Sequence, residues 1–262
     1  MGPLFLTTVI YVGAAVALAS QMWIDFEADR VPPMKNPVMI VAVSTSMPQY
    51  RALYSQAREM ADYMLKKMDF KRIGTVRTSA FPPEVLVRDD SLSTLPECSF
   101  YLSRGKRDII LFAGDSSPAD EQYEFAEFLL GKAKEMGVEE LYSVGARWTE
   151  NPVPPEAEPQ ATGFATDSVG VAKLKKLGVR VLSEEPAPFF ASMVVAMAKD
   201  VGIRGYKLAV DHGEPSPHVR SVVKLLDILK SMAALDVDLG DIRSKISPAA
   251  PATHPGNGTI YH

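Results

Sequence analysis

Residues 107–144 follow the pattern of a strand, a helix and a second strand, and this unit most constrains the fold. Residues 107–113 are mostly apolar and long enough for a buried strand, and residues 114–118 contain turn and helix-cap residues. Apolar side chains then recur at helical spacing over Ala119–Met136, Gly137 ends this helix, and residues 141–144 begin the next strand. Elements joined this closely predict a parallel crossover, whose binding sites gather at the carboxyl ends of the strands.

Similar patterns extend over most of the chain. We predict further strands at 37–43, 73–76, 84–87, 98–102, 179–182 and 206–210, and further helices at 50–68, 169–177, 188–201 and 217–232. Alternating strands and helices with glycines between them predict an α/β protein, a three-layer α/β/α sandwich with a mostly parallel sheet. We expect this domain over residues 35–243, with a proline-rich loop at Asn151–Pro159 and a flexible tail over residues 244–262.

The first 24 residues carry no charged side chain, and Leu4–Leu18 is mostly apolar. Roughly 20 such residues can span a bilayer. Three interpretations stay open: a membrane anchor, a cleaved signal peptide that lacks the usual basic start, or an extension upstream of a true start at Met22. We expect a cytoplasmic protein, tethered to a membrane only if residues 4–24 are retained.

Composition and motifs exclude several classes of function. The net charge of −4, without a basic stripe, argues against nucleic-acid binding. Cys98 is the only cysteine, which excludes an internal disulfide or a thiolate metal cluster, and its apolar context predicts a packed, inert thiol. The sequence contains no phosphate loop, dinucleotide-binding turn, serine nucleophile elbow or zinc-protease motif. We therefore predict no cofactor, no metal and no catalytic residue, and an enzyme is the less favoured class.

Polar residues at predicted strand ends are the candidates for ligand binding. They are Ser44, Ser46, Asp115, Ser116, Asp211 and His212. Helix capping is the competing and favoured interpretation for the serines and for Asp115, since both loops precede predicted helices. Asp211, His212, Glu214 and His218 could hold a metal, but their spacing matches no recognised ligand pattern, so solvated loop residues are the favoured interpretation there.

The last residues of the sequence predict a docking peptide. Residues 247–258 are rich in proline, alanine and glycine and cannot form a core. They lead to Ile260, Tyr261 and His262, where apolar area and a tyrosine ring lie beside a terminal carboxylate. A pocket with a cation in a partner can capture such an end.

The order of these landmarks resembles the proteasome assembly chaperone family of archaea and bacteria. The resemblance covers about residues 35–240 and rests on a pattern of strands and turns. Its landmarks are residues 37–43, 81–83, 108–118, 137–138, 142–145, 163–166, 178–179, 202–203 and 237–239. It implies a domain like that of nucleoside phosphorylases, usually homo-oligomeric, that acts as a scaffold.

The resemblance also implies a partner. Archaeal members end in a hydrophobic residue, a tyrosine and any residue, which dock between α-subunits of the 20S proteasome core, and Ile260-Tyr261-His262 matches this pattern. Relatives carry glycines after the first strand and before the apolar helix, where this chain has Ser44–Pro48 and Glu184–Pro188. If those glycines mark a small-molecule pocket, we expect this chain to have lost it. The alternative function is a nucleotide-like small-molecule binding protein or enzyme that uses the strand-end loops.

Overall fold

The computed structural model describes residues 23–28, 32–47, 55–148, 158–212 and 218–246. Within these ranges the strands are β1 Ile24–Ala28, β2 Val38–Val43, β3 Phe70–Thr78, β4 Leu86–Val87, β5 Ser93–Thr94, β6 Cys98–Ser103, β7 Ile109–Gly114, β8 Glu140–Trp148, β9 Ala161–Ala165, β10 Arg180–Val181 and β11 Arg204–His212. The helices are α1 Gln56–Lys67, α2 Gln122–Glu135, α3 Ser168–Lys176, α4 Phe190–Ala198, α5 His218–Ala233 and α6 Gly240–Arg243.

A nine-stranded sheet in the order β1-β3-β6-β7-β2-β8-β11-β9-β10 organises the fold. Its central strands β7, β2, β8 and β11 are parallel. The strands β1, β3 and β6 continue the sheet from β7 with antiparallel pairing, and β9 pairs antiparallel with β11 on the other side. The predicted α/β class is confirmed, and the parallel pairing is concentrated in the centre of a mixed sheet.

The predicted crossover of residues 107–144 is present. Both β7 and β8 run parallel to β2, which lies between them, and α2 makes the connection. Because β2 is central, all six of its residues are buried, as its unbroken apolar run requires.

Two apolar cores, one on each face of the sheet, hold the two helical layers against it. One core packs α1, α3 and α5 against the sheet. The other packs α2 and α4 and contains most of the phenylalanines, among them Phe100, Phe112, Phe125 and Phe190. Each ring lies within 6.3 Å of another, centroid to centroid. The three layers therefore follow from apolar side chains on alternate sides of the same strands.

Several elements differ from their predicted extents. Helix α2 begins at Gln122, not at residue 119, because Glu121 has a left-handed backbone with φ 48°, which interrupts a helix at that residue. The strand predicted at 84–87 is reduced to Leu86–Val87, and the one at 73–76 is part of the longer β3. The strands β1, β5 and β9 and the short α6 were not predicted as elements.

Most of the N-terminal apolar segment, the predicted proline-rich loop and the predicted tail lies outside the described residues. The residues concerned are 1–22, 149–157 and 247–262. β1 precedes the expected start of the domain and joins the sheet through β3. In the described part of the chain, no helix combines the length and the apolar character needed to cross a bilayer.

Candidate functional site

A cavity of about 470 Å³ opens where the second halves of β8 and β11 meet the segment before α4. Ser44 and Thr45, just after β2, line one side, and Glu185–Phe189 line another. Most of the remaining wall is apolar and includes Ala146, Phe164, Leu182, Pro186, Ala191 and Ala209. Small-molecule sites in proteins have volumes of roughly 300–1,000 Å³. A cavity of this size is therefore present between the two segments at which relatives are expected to carry glycines.

The backbone of the segment before α4 explains why the cavity persists without glycines. Glu184 has φ 56° and Phe189 has φ 76°, both in the left-handed region that favours glycine. For other residues this conformation costs about 1–2 kcal/mol. Two residues of this segment thus adopt a backbone conformation that glycine adopts without strain.

Lys207 lies in the middle of β11 and is the one lysine among the described residues that line the cavity. Lys207 is 7% exposed, and no described residue forms a hydrogen bond or an ion pair with its Nζ. A Cβ at Gly145, which also lines the cavity, would lie 3.0 Å from this Nζ. Desolvation alone lowers the pKa of Lys207 to about 7. A buried lysine amine without a counter-ion among the described residues therefore lies at the wall of the cavity.

The packing around Lys207 depends on a second glycine. A Cβ at Gly163 in β9 would lie 2.3 Å from the backbone carbonyl oxygen of Lys207, closer than any real contact. β9 can therefore approach β11 here only because residue 163 has no side chain. This close approach brings Thr162, in the same strand, to the wall of the cavity.

Two buried hydroxyls accompany Lys207 on this face of the sheet. Ser143 lies opposite Lys207 in β8, and Thr162 lies opposite Ala209 in β9. Neither Ser143 Oγ nor Thr162 Oγ1 has a hydrogen-bond partner among the described residues. Buried polar groups normally have one, and leaving one unsatisfied costs about 1–3 kcal/mol.

Arg147 and Glu185, which line the cavity, take part in a group of ion pairs. Arg147 in β8 contacts Glu185 at 3.0 Å and Asp211 in β11 at 3.4 Å, and Arg180 also contacts Glu185 at 3.0 Å. Burial raises the pKa of Asp211, and the Arg147 guanidinium acts against this shift. These charges satisfy one another and leave the Lys207 ammonium as the unpaired charge of the cavity wall.

The predicted ligand-binding residues do not all lie at one site. Ser44 lines the cavity, and Asp211 contacts it indirectly through Arg147. Ser46, Asp115 and Ser116 are not part of the cavity wall. The side chain of His212, with Glu214 and the side chain of His218, lies outside the described residues, so the metal hypothesis is not tested there.

Asp115 joins separate elements instead of capping α2. Its carboxylate accepts hydrogen bonds from Arg58 in α1 at 3.3 Å and from Arg88, which follows β4, at 3.1 and 2.8 Å. It also accepts from the backbone N–H of Glu97 at 3.3 Å. Burial opposes ionisation, but these partners outweigh it and lower the pKa of Asp115. The capping interpretation for Asp115 is wrong, since α2 begins seven residues later at Gln122.

Ser116 and Cys98 belong to the packed interior near Asp115. Ser116 Oγ donates to the carbonyl oxygen of Ser117 at 3.0 Å, and Cys98 Sγ donates to that of Ser116 at 3.3 Å. Burial raises the pKa of the Cys98 thiol, which keeps it protonated and unreactive. The prediction of a packed thiol is confirmed.

Sequence reasoning missed Lys207, the most informative residue of the cavity. Tyr206–Val210 was predicted as a strand, and a lysine inside an apolar strand run is an available signal. The sequence alone does not show whether this lysine side chain lies on the solvent side or the interior side of the strand. The pairing of β11 with β8 and β9 decides this.

Together, the mixed sheet, its two helical layers and the cavity at the strand ends define an α/β protein of the three-layer class. A model of the PAC2 family matches residues 57–248, most of the chain. The chain belongs to the PAC2 family. A search of curated proteins finds no match.

Solved structures share this fold at low sequence identity. Pyrococcus furiosus PbaB, described as an archaeal proteasome activator, matches with a TM-score of 0.71 and 17% identity over 85% of this chain and 94% of its own. Pyrococcus furiosus PbaA, described as an archaeal homolog of proteasome-assembly chaperone, matches at 0.64 and 20% over 84% and 90%. A proteasome-assembly chaperone homologue from Mycobacterium tuberculosis matches at 0.65 and 15% over 80% and 91%.

Proposed function

We propose that this protein is a non-enzymatic assembly chaperone or adaptor for a ring-shaped protease particle, with the 20S proteasome core as its partner. The observation that carries the proposal is membership of the PAC2 family over residues 57–248. The shared fold with PbaB and PbaA, whose descriptions name proteasome activation and assembly, supports the same class of partner.

The proposed contact is made by Ile260, Tyr261 and His262, which lie outside the described residues. Isoleucine and tyrosine supply apolar area, and the carboxylate of the last residue supplies a charge that a cation in a partner's pocket can pair with. A short peptide of this kind binds weakly by itself. Several copies on one oligomer would bind a ring much more tightly, because later contacts are intramolecular.

The test is co-purification of the full chain, tagged at its N-terminus, with the 20S core of the source organism. Three variants are compared with the unchanged chain: deletion of residues 260–262, Tyr261→Ala, and the control Asn257→Ala within the same tail. We expect the deletion and Tyr261→Ala to abolish co-purification and Asn257→Ala to retain it. Binding that survives the deletion overturns the proposed contact.

The proposal includes a homo-oligomer, and the β4–β5 hairpin supports it. Val85, Val87, Leu92 and Leu95 are 56–71% exposed on this hairpin. Val87 pairs with Ser93, so strand alternation places Val85 and Leu95 on the same side as Val87. Several large apolar side chains exposed together are typical of an interface, and we assign this one to a second copy of the chain.

A further inference from the structure

We propose that the cavity beside β11 binds a small organic acid with one negative charge and an apolar body, and that the Lys207 ammonium recognises its acid group. This ligand is separate from the protein partner proposed above, so either proposal can fail without the other.

The chemistry of the wall selects this class of ligand. Inside the cavity the unpaired charge is the Lys207 ammonium, whereas Arg147 is already paired with Asp211 and Glu185. One carboxylate would satisfy the ammonium, and the buried hydroxyl of Thr162, which also lines the cavity, offers an additional donor. The remaining wall, with Phe164, Leu182 and Pro186, fits an apolar body.

A nucleotide fits this wall poorly. Its phosphates would bring several negative charges to one ammonium, and the additional charges would be buried without partners. Glu185 and Asp211, beside the opening, would repel them further. The cavity volume of about 470 Å³ suits a medium-sized monoacid.

Binding of an acid to Lys207 is expected to be coupled to protonation of the lysine above neutral pH. The free lysine, with its pKa lowered to about 7, is largely neutral at pH 8, but a bound carboxylate favours the charged form. Among the side chains that the structure describes, the other ionisable groups at the cavity are Arg147 on β8, Asp211 on β11 and Glu185 before α4. The residues of β9 and α4 include no ionisable side chain. A pH dependence near neutrality that is lost in Lys207→Met therefore reports Lys207.

The experiment measures binding of octanoate to the full chain by isothermal titration calorimetry, with 1-octanol and octylamine as the neutral and cationic analogues and AMP as the nucleotide probe. We expect saturable binding of octanoate at pH 6, at least tenfold weaker binding of 1-octanol, and none of octylamine or AMP. Above pH 7, octanoate affinity should fall about tenfold per pH unit. Buffers of different ionisation enthalpy should show uptake of close to one proton per bound acid at pH 8.

Two variants complete the test. Lys207→Met keeps the length of the side chain without its charge, and should lose the preference for octanoate over 1-octanol and the pH dependence. Lys175→Met makes the same change at an exposed position of α3 and should bind as the unchanged chain does. The proposal is overturned if octanoate does not bind, if Lys207→Met binds it equally well, or if 1-octanol binds as tightly as octanoate.

Discussion

At the scale of single residues, Lys207 is a buried lysine without a hydrogen-bond or ion-pair partner among the described residues. At 7% exposure the charged form loses hydration and gains no ion pair from these residues, which is why its pKa is lowered to about 7. Such a residue destabilises the fold unless a ligand compensates for it. The cavity that it lines supplies room for that compensation.

Replacing Lys207 by Met is expected to stabilise the protein near neutral pH. In the unfolded chain the lysine pKa is about 10.4, so between pH 7 and 10 the unfolded state binds more protons and the stability of the unchanged protein rises with pH. This one group contributes a slope of about 1.4 kcal/mol per pH unit, which Lys207→Met removes. Urea unfolding at pH 7 and pH 9 measures the difference.

Lys175→Met is the control for this prediction, because Lys175 is exposed. It should leave both the stability and its slope unchanged. If Lys207→Met has the same stability difference from the unchanged protein at both pH values, Lys207 is not held neutral by burial.

The sequence reveals some residues of the site and conceals others for a physical reason. Ser44 was found because it follows a predicted strand, and strand ends collect ligands in parallel sheets. Lys207 was not found, since a lysine within a strand faces either water or the interior, and only the strand pairing decides which. Asp115 was placed correctly at a strand end but given the wrong role, because its partners Arg58 and Arg88 are distant in sequence.

At the scale of elements, Asp115 connects parts of the chain that no strand pairing joins. One carboxylate, 10% exposed, bonds to Arg58 in α1, to Arg88 beside the β4–β5 hairpin and to the backbone before β6. The β4–β5 strands form a two-stranded sheet of their own, apart from the main sheet. Since so small a hairpin is barely stable alone, its position depends on side-chain contacts such as this one.

We expect Asp115→Asn to destabilise the protein by about 1–3 kcal/mol at pH 7, because the two guanidinium groups lose their shared anion. The lowered pKa of Asp115 means that its contribution is present above the ordinary carboxyl pKa and is lost as pH falls through the folded value. Thermal unfolding between pH 3 and 7 should therefore show a smaller loss at acid pH in the variant than in the unchanged chain.

Asp62→Asn is the matched control, because Asp62 is an exposed partner of the same Arg58 at 2.9 Å. Its loss should change stability by less than about 1 kcal/mol. Equal effects of the two substitutions would contradict the role assigned to Asp115.

Strands and helices were predicted correctly where a continuous run of apolar residues marks them in the sequence. Pro37–Val43, residues 107–113 and the apolar α4 were all placed, because continuous apolar runs need no partner to be recognised. The predicted start of α2 was wrong, since Glu121 has a left-handed backbone that interrupts the helix just before Gln122. Glutamate rarely adopts this conformation, so the residue type gives no signal for it.

At the scale of the whole molecule, the sheet order could not be derived from the predicted elements. The chain places β2 between β7 and β8, and it adds antiparallel strands on both sides of the parallel centre. The β4–β5 hairpin, which follows β3, forms a separate two-stranded sheet. Its residues Val85 and Val87 are 61% and 71% exposed, unlike the buried residues of either core, and we propose that a second copy of the chain covers them.

The double variant Val85→Asp/Val87→Asp is expected to lower the mass of the protein in solution, as measured by size-exclusion chromatography with light scattering. Two carboxylates in a self-complementary interface meet their own copies, so burial and like-charge repulsion both oppose association. Val169→Asp on α3 is the control, because Val169 is as exposed as Val85, at 61%, but lies away from the hairpin. It should leave the mass unchanged. A monomeric starting protein, or an unchanged mass in the double variant with retained circular dichroism, would show that copies of the chain do not associate through this hairpin.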